Sequence, residues 1–87
     1  MGERHWRPTA ENARAIRECV AQNLRRERLR AGLSQAALAE TSGVGRDTIA
    51  RLEAARREPR LVTLVPLAFA LNVSIHVLLA GLPRPDA

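Results

Sequence analysis

Apolar positions recur along this chain at helical spacing, and the residues between them mark where each helix starts and stops. Thr9, just after Pro8, is an N-cap type of residue, and from it the sequence runs without a breaker to Gly32. Ile16, Val20 and Leu24 repeat every four residues, so they form one apolar stripe on a long helix, with Arg14, Arg17, Glu18, Arg25 and Arg26 mainly off it. A second helix opens at Ser34, another N-cap type, and its alanine-rich run to Thr41 is strongly helix-forming. Gly43 supplies a left-handed turn residue, and the helical pattern restarts at Gly45. Counting about 100° per residue from Ile49 puts Leu52 and Glu53 near the buried side, and Asp47, Arg51 and Ala54 opposite. That outward face has little packing value and carries ionic side chains at i and i+4. It is a surface available to a partner.

Glu53 to Arg60 reads as a charged loop closed by Pro59. Leu61 to Leu71 should hold a fourth helix, but Pro66 lacks an N–H and clashes with the turn before it. Thr63 as N-cap, with Pro66 in the first turn, resolves this and points Leu64, Leu67, Ala68 and Leu71 inward. Asn72 ends that helix, Ser74 caps the next, and Ile75 to Ala80 is a short apolar helix stopped by Gly81. The expected organisation is a loose arm at 1–8, one all-α domain at 9–82 with its two-helix motif at 34–54, and a frayed tail at 83–87.

The run Arg28-Leu-Arg-Ala-Gly-Leu-Ser-Gln-Ala-Ala-Leu-Ala39, then Ser42-Gly-Val-Gly-Arg-Asp-Thr-Ile-Ala-Arg-Leu-Glu53, then Pro59, then Leu71-Asn-Val-Ser-Ile-His-Val-Leu-Leu79 resembles the phage repressor and Cro-like (XRE) helix-turn-helix family. The resemblance covers roughly residues 20 to 80. Each piece is weak alone; the ordered set at these spacings is strong. It implies a five-helix, lambda-repressor-like domain that lays its third helix in the DNA major groove, usually as a dimer on a two-fold site. In that family the first helix starts near Val20, so residues 9 to 19 are an extension. It is either a longer core contact, against the last helix, or a means of dimerising or reaching DNA with Arg14 and Arg17. A separate short helix there is the other reading.

Composition narrows the partner. Fourteen basic residues, all arginine, against nine acids give a formal charge of +5, which suits an anionic partner. Arginine in particular makes bidentate contacts to phosphate and guanine. Eighty-seven residues make one small domain, with no room for an effector-binding half beside the helices. Cys19 stands alone and reads as helix filler. No stretch reaches bilayer length and the first twenty residues lack a signal-peptide core, so a cytoplasmic protein is expected. No paired His and Cys, glycine-rich phosphate loop or serine elbow supports catalysis, a metal or a cofactor, and His76 reads as a rim or interface residue. A non-enzyme is expected.

The candidate base contacts are Arg46, Asp47, Thr48 and Arg51, because side chains in the first two turns of a helix aimed into the groove meet base edges. Asp47 has an alternative role, supporting the helix dipole and pairing with Arg51. Candidate phosphate contacts are Ser34, Gln35, Gly45, Arg56, Arg57 and Arg60; the resemblance implies that Gln35 bonds the DNA backbone through its amide. Gly45 stands where the family often has Ser or Thr, and Ala55 where it usually has Gly, so the loop there must take a left-handed residue or be built differently. The resemblance also pairs Arg28 with Glu53 as a structural ion pair. The apolar surplus in Ile75, Leu78, Leu79 and Leu82 marks a dimer surface, with the extension as runner-up. Trp6 in the arm is disordered, folded back over apolar surface, or a dimer contact. The function expected is sequence-specific double-stranded DNA binding by a dimeric repressor. The alternative, cued by the arm with Trp6, is an antitoxin-like or adaptor module that binds protein.

Overall fold

A computed structural model describes Arg7 and residues 9–83, so the readings of Trp6 and of the tail beyond Pro83 lie outside the described residues. The described chain forms five α-helices in the order α1 (Ala10–Arg30), α2 (Gln35–Ser42), α3 (Arg46–Glu53), α4 (Leu61–Ala70) and α5 (Ile75–Leu78). The all-α, five-helix fold expected from the sequence is the one observed. Side-chain caps start three of the helices: the oxygens of Thr9, Ser34 and Ser74 accept from the backbone N–H of Asn12, Ala37 and His76. The extension is continuous with α1, a single helix of 21 residues, rather than a separate short one.

Two boundaries differ from the sequence reading. Helix α4 starts at Leu61, with Arg60 rather than Thr63 at its N-cap, and the Arg60 carbonyl accepts from both Thr63 and Leu64 at 2.9 Å. Pro66 therefore stands in the second turn. The bond it cannot donate belongs to the carbonyl of Val62, a residue 71% exposed, so the lost bond lies on the solvent side of the helix and not in the core. The last helix is also shorter than expected: α5 closes at Leu78, and Leu79 to Gly81 continue as turn.

Helices α1, α3 and α4 end alike, each with a left-handed residue one place past its cap: Gly32 at φ 73°, Ala55 at 58° and Asn72 at 58°. In each, the following amide reaches back to the last turn, as Arg56 N–H does to the Arg51 carbonyl at 2.9 Å. Ala55 thus accepts the conformation that glycine would take without strain. Ala55→Gly should raise the melting temperature by a few degrees, since a left-handed alanine costs about 1 kcal/mol and the greater freedom of glycine in the unfolded chain offsets part of the gain. Thermal unfolding followed by circular dichroism checks this, and a lower melting temperature refutes it.

The core is aliphatic. Val20 and Leu24 of α1 meet Leu38 of α2, Ile49 and Leu52 of α3, Leu64, Leu67, Ala68 and Leu71 around α4, and Leu78 of α5. Burial of these side chains holds the four short helices α2 to α5, whose own hydrogen bonds would not keep them folded. Helix α1 also ties down the end of the chain through polar contacts. Asn23, 5% exposed, donates to the carbonyls of Leu78 and Ala80 at 2.9 and 2.8 Å, and the Cys19 thiol donates to Ala80 at 3.0 Å. Cys19 is therefore a structural donor and more than filler.

Candidate nucleic-acid interface

Gly43, at φ 78°, turns the chain between α2 and α3, and its N–H bonds the Ala39 carbonyl at 2.9 Å. Ile49 and Leu52, at 0% and 2% exposure, press one side of α3 into the core, which leaves the other side in solvent. Arg46, Asp47 and Arg51 stand on that outer side and Thr48 is half-buried beside them. Asp47 and Arg51 face each other one turn apart, with Nη2 and Oδ2 3.4 Å apart. At 86% and 59% exposure this pair is well hydrated, so little is lost if either side chain turns to a base.

The face is aimed by a buried cluster at the opposite end of α3. Arg28 forks onto Glu53, Nε to Oε2 at 2.6 Å and Nη2 to Oε1 at 2.8 Å, and its third nitrogen donates to the Leu33 carbonyl at 2.8 Å. The Gln35 amide adds a bond to Glu53 Oε1 at 3.1 Å. One carboxylate thereby joins the end of α1, the first residue of α2 and the last residue of α3. The hydrogen bond to Glu53, and its charge, raise the Arg28 pKa above the ordinary arginine value against the opposing effect of burial. Gln35 is engaged by Glu53 in the free protein, a partner that sequence reasoning does not give it.

The other candidate phosphate contacts lie at the ends of the two-helix unit. The Ser34 oxygen is occupied by the Ala37 amide at 3.0 Å. Gly45 precedes α3 at φ −60°, with no side-chain cap, so the first N–H groups of the helix stay open. Arg56, Arg57 and Arg60 follow α3 in its exit loop, Arg56 and Arg60 exposed and Arg57 half-buried. Among the described residues, the ion pairs involve Arg17, Arg26, Arg28, Arg30 and Arg51, so Arg46, Arg56, Arg57 and Arg60, like Arg7 before α1 and Arg14 and Arg25 within it, have no carboxylate partner there.

The apolar surface expected around α5 is differently placed. Leu78 is 0% exposed, a core residue, and cannot face a partner. Ile75, Leu79 and Leu82 are half-buried against the same core. Apart from Leu29 of α1, the large exposed apolar side chains among the described residues are instead Leu61, Val62, Val65 and Phe69 of α4, the last 87% exposed. The four of α4 fall within an arc of about 100° on one side of that helix, beside a shallow hollow lined by Val65, Ala68, Phe69, Val73 and Ile75. A signal for this face was present, since no charged residue occurs from Leu61 to Leu71 and the core needs only one side of that run. Arg17 and Asn23 were also missed as contacts; nothing local to them names their partners.

Residues 24–78, more than half of the chain, match the HTH_3 helix-turn-helix family. The chain is 45% identical over 64 residues to the control protein C.SmaI of Serratia marcescens, covering 74% of this chain and 76% of that one. Among solved structures it resembles the restriction-modification controller protein C.AhdI of Aeromonas hydrophila, with a TM-score of 0.67 and 33% identity over 80% of this chain and 98% of the other. It also resembles an HTH_3 family transcriptional regulator from Vibrio cholerae, with a TM-score of 0.75 and 26% identity, where 85% of this chain spans 40% of that protein. An outward-facing third helix on a core-anchored turn, joined to these likenesses, places the chain in the HTH_3 helix-turn-helix family of DNA-binding transcription regulators.

Proposed function

We propose that this protein is a non-enzymatic, dimeric repressor in the cytoplasm that binds a two-fold operator near its own or a neighbouring promoter. The observation that carries this reading is the outer face of α3, where Arg46, Asp47 and Arg51 project from a helix anchored by Ile49 and Leu52. Arg46 and Arg51 donate to guanine O6 and N7, Asp47 accepts from a cytosine amino group, and Thr48 offers its methyl to thymine. The N–H groups after Ser34 and Gly45, with Gln35, Arg56, Arg57 and Arg60, hold the phosphates. The likeness to the control protein C.SmaI and the restriction-modification controller protein C.AhdI supports a regulatory role.

One such helix covers only a few base pairs, so useful specificity calls for two copies with half-sites about one helical turn apart. The exposed side of α4 is the surface that suits the second copy: Leu61, Val62, Val65 and Phe69 form one apolar strip that faces only water in the monomer. Val65 and Phe69 are 54% and 87% exposed, so glutamate at both leaves the core intact. The double variant Val65→Glu, Phe69→Glu should sediment as a folded monomer at micromolar concentration, and its affinity for a two-fold site should fall about a hundredfold. A double variant that stays dimeric moves the interface elsewhere. If the wild type is monomeric and shows no preference for any upstream duplex over unrelated competitor, the repressor reading fails and the α4 strip belongs to another protein, as in an antitoxin.

A further inference from the structure

Arg17 lies in the extension of α1, outside the residues that match the family. Its side chain crosses to the loop that leaves the recognition helix. Nε donates to the Ala55 carbonyl at 3.2 Å and Nη1 to Glu58 Oε1 at 3.0 Å. The two acceptors bracket Arg56 and Arg57 in sequence, and the first belongs to the left-handed alanine at φ 58°. Glu58 is also the one acid between Ala54 and Arg60, so Arg17 offsets the charge that opposes phosphate there. With Glu58 66% exposed, the ionic contact itself is screened by water and contributes little to stability. Its main effect is on geometry, because a planar guanidinium holding two points of a short loop sets the direction of the residues between them.

We infer that Arg17 is a positioning residue for DNA binding: the extension of α1 braces the exit loop of α3 so that Arg56 and Arg57 are ordered before they meet the phosphates. The inference rests on the DNA-binding reading above. A loop ordered in advance loses less conformational freedom on binding than one that must be ordered at the interface. Removing the brace should therefore cost affinity without unfolding the domain.

Arg17→Ala, Arg17→Lys and the wild type are to be compared by three measurements under conditions where circular dichroism shows all of them folded. Operator affinity should fall about tenfold in Arg17→Ala, the loss expected when two long side chains must be ordered on binding. The slope of log affinity against log salt should become shallower by about 1 to 2 as phosphate contacts weaken. Arg17→Lys keeps the charge but not the two-point fork, and should fall between the two. Amide exchange at Ala55 and Arg56 should quicken in Arg17→Ala, while the amides of Leu24 and Leu38 keep their wild-type rates. Wild-type affinity and salt slope in folded Arg17→Ala would overturn the inference, whether or not the two loop amides exchange faster, since exchange alone would mean a structural brace. Failure of the wild type itself to prefer any duplex overturns the DNA reading and the positioning role with it. The exchange rates, which need no DNA, then separate a brace from no brace.

Discussion

Arg28→Ala should lower the stability of the domain by about 3 to 5 kcal/mol, enough to drop the melting temperature by ~12 °C or more. The size follows from what the substitution leaves behind. The Glu53 side chain is 4% exposed and takes two charge-assisted bonds from Arg28, at 2.6 and 2.8 Å; without them only the Gln35 amide remains. A buried carboxylate with one neutral donor is far more costly than the intact pair is stabilising. The Leu33 carbonyl loses its Arg28 partner too. Arg28→Met combined with Glu53→Leu removes both charges and should recover most of the loss, which separates the cost of an unpaired charge from the value of the pair. The raised pKa of Arg28 gives the direction with pH: its contribution is fully present below the ordinary arginine range and is lost only as pH rises past it. Thermal unfolding at neutral pH and at about pH 9 should therefore show the same deficit from the arginine. An unchanged melting temperature in Arg28→Ala would remove the cluster from any account of how α3 is held.

The double variant Arg46→Ala, Arg51→Ala should bind its operator about two orders of magnitude or more weakly, because each bidentate arginine–guanine contact is worth roughly 1 to 3 kcal/mol of discrimination. Both side chains are exposed, and in the free protein the substitutions break the 3.4 Å surface pair with Asp47, so the fold and melting temperature should hardly change. Asp47 then stands unneutralised on the face that approaches DNA, which adds to the loss. The measurement is fluorescence anisotropy with labelled duplex from upstream of the gene, at physiological salt and with excess unrelated duplex. Residual binding in the variant should be the sequence-independent, salt-sensitive part carried by Arg56, Arg57 and Arg60. Binding that ignores both substitutions would mean that bases are read by some other element, and that α3 is only a surface helix.

The local chemistry of the chain is enough for much of this molecule. Thr9, Ser34 and Ser74 cap their helices and Gly43 turns left-handed because each acts on groups within a few residues of itself. The inward side of α3 is legible from Ile49 and Leu52 for the same reason, since helical period alone fixes which side chains share a face. Where sequence and structure part, the missing quantity is distance in space. Thr63 is a reasonable cap for α4 until the structure puts Val62, whose carbonyl stands opposite Pro66, on the solvent side of a helix that starts at Leu61. Leu78 reads as spare apolar surface until the turn at Asn72 folds it under α1, where Asn23 holds its carbonyl from 55 residues away. Gln35 reaches Glu53 across 18 residues, and Arg17 reaches Ala55 across 38.

Where α1, α2, α3 and α5 begin, where the chain turns between α2 and α3, and which face of α3 is free are thus written in the amino-acid order, because caps, left-handed turns and periodicity are interactions between near neighbours along the chain. Folding in three dimensions settles which free-looking side chains already have partners, Gln35, Arg17 and Leu78 among them, and puts the bare apolar surface on α4. Those outcomes depend on how rigid helices pack around a shared core, and packing brings together residues that no local pattern connects.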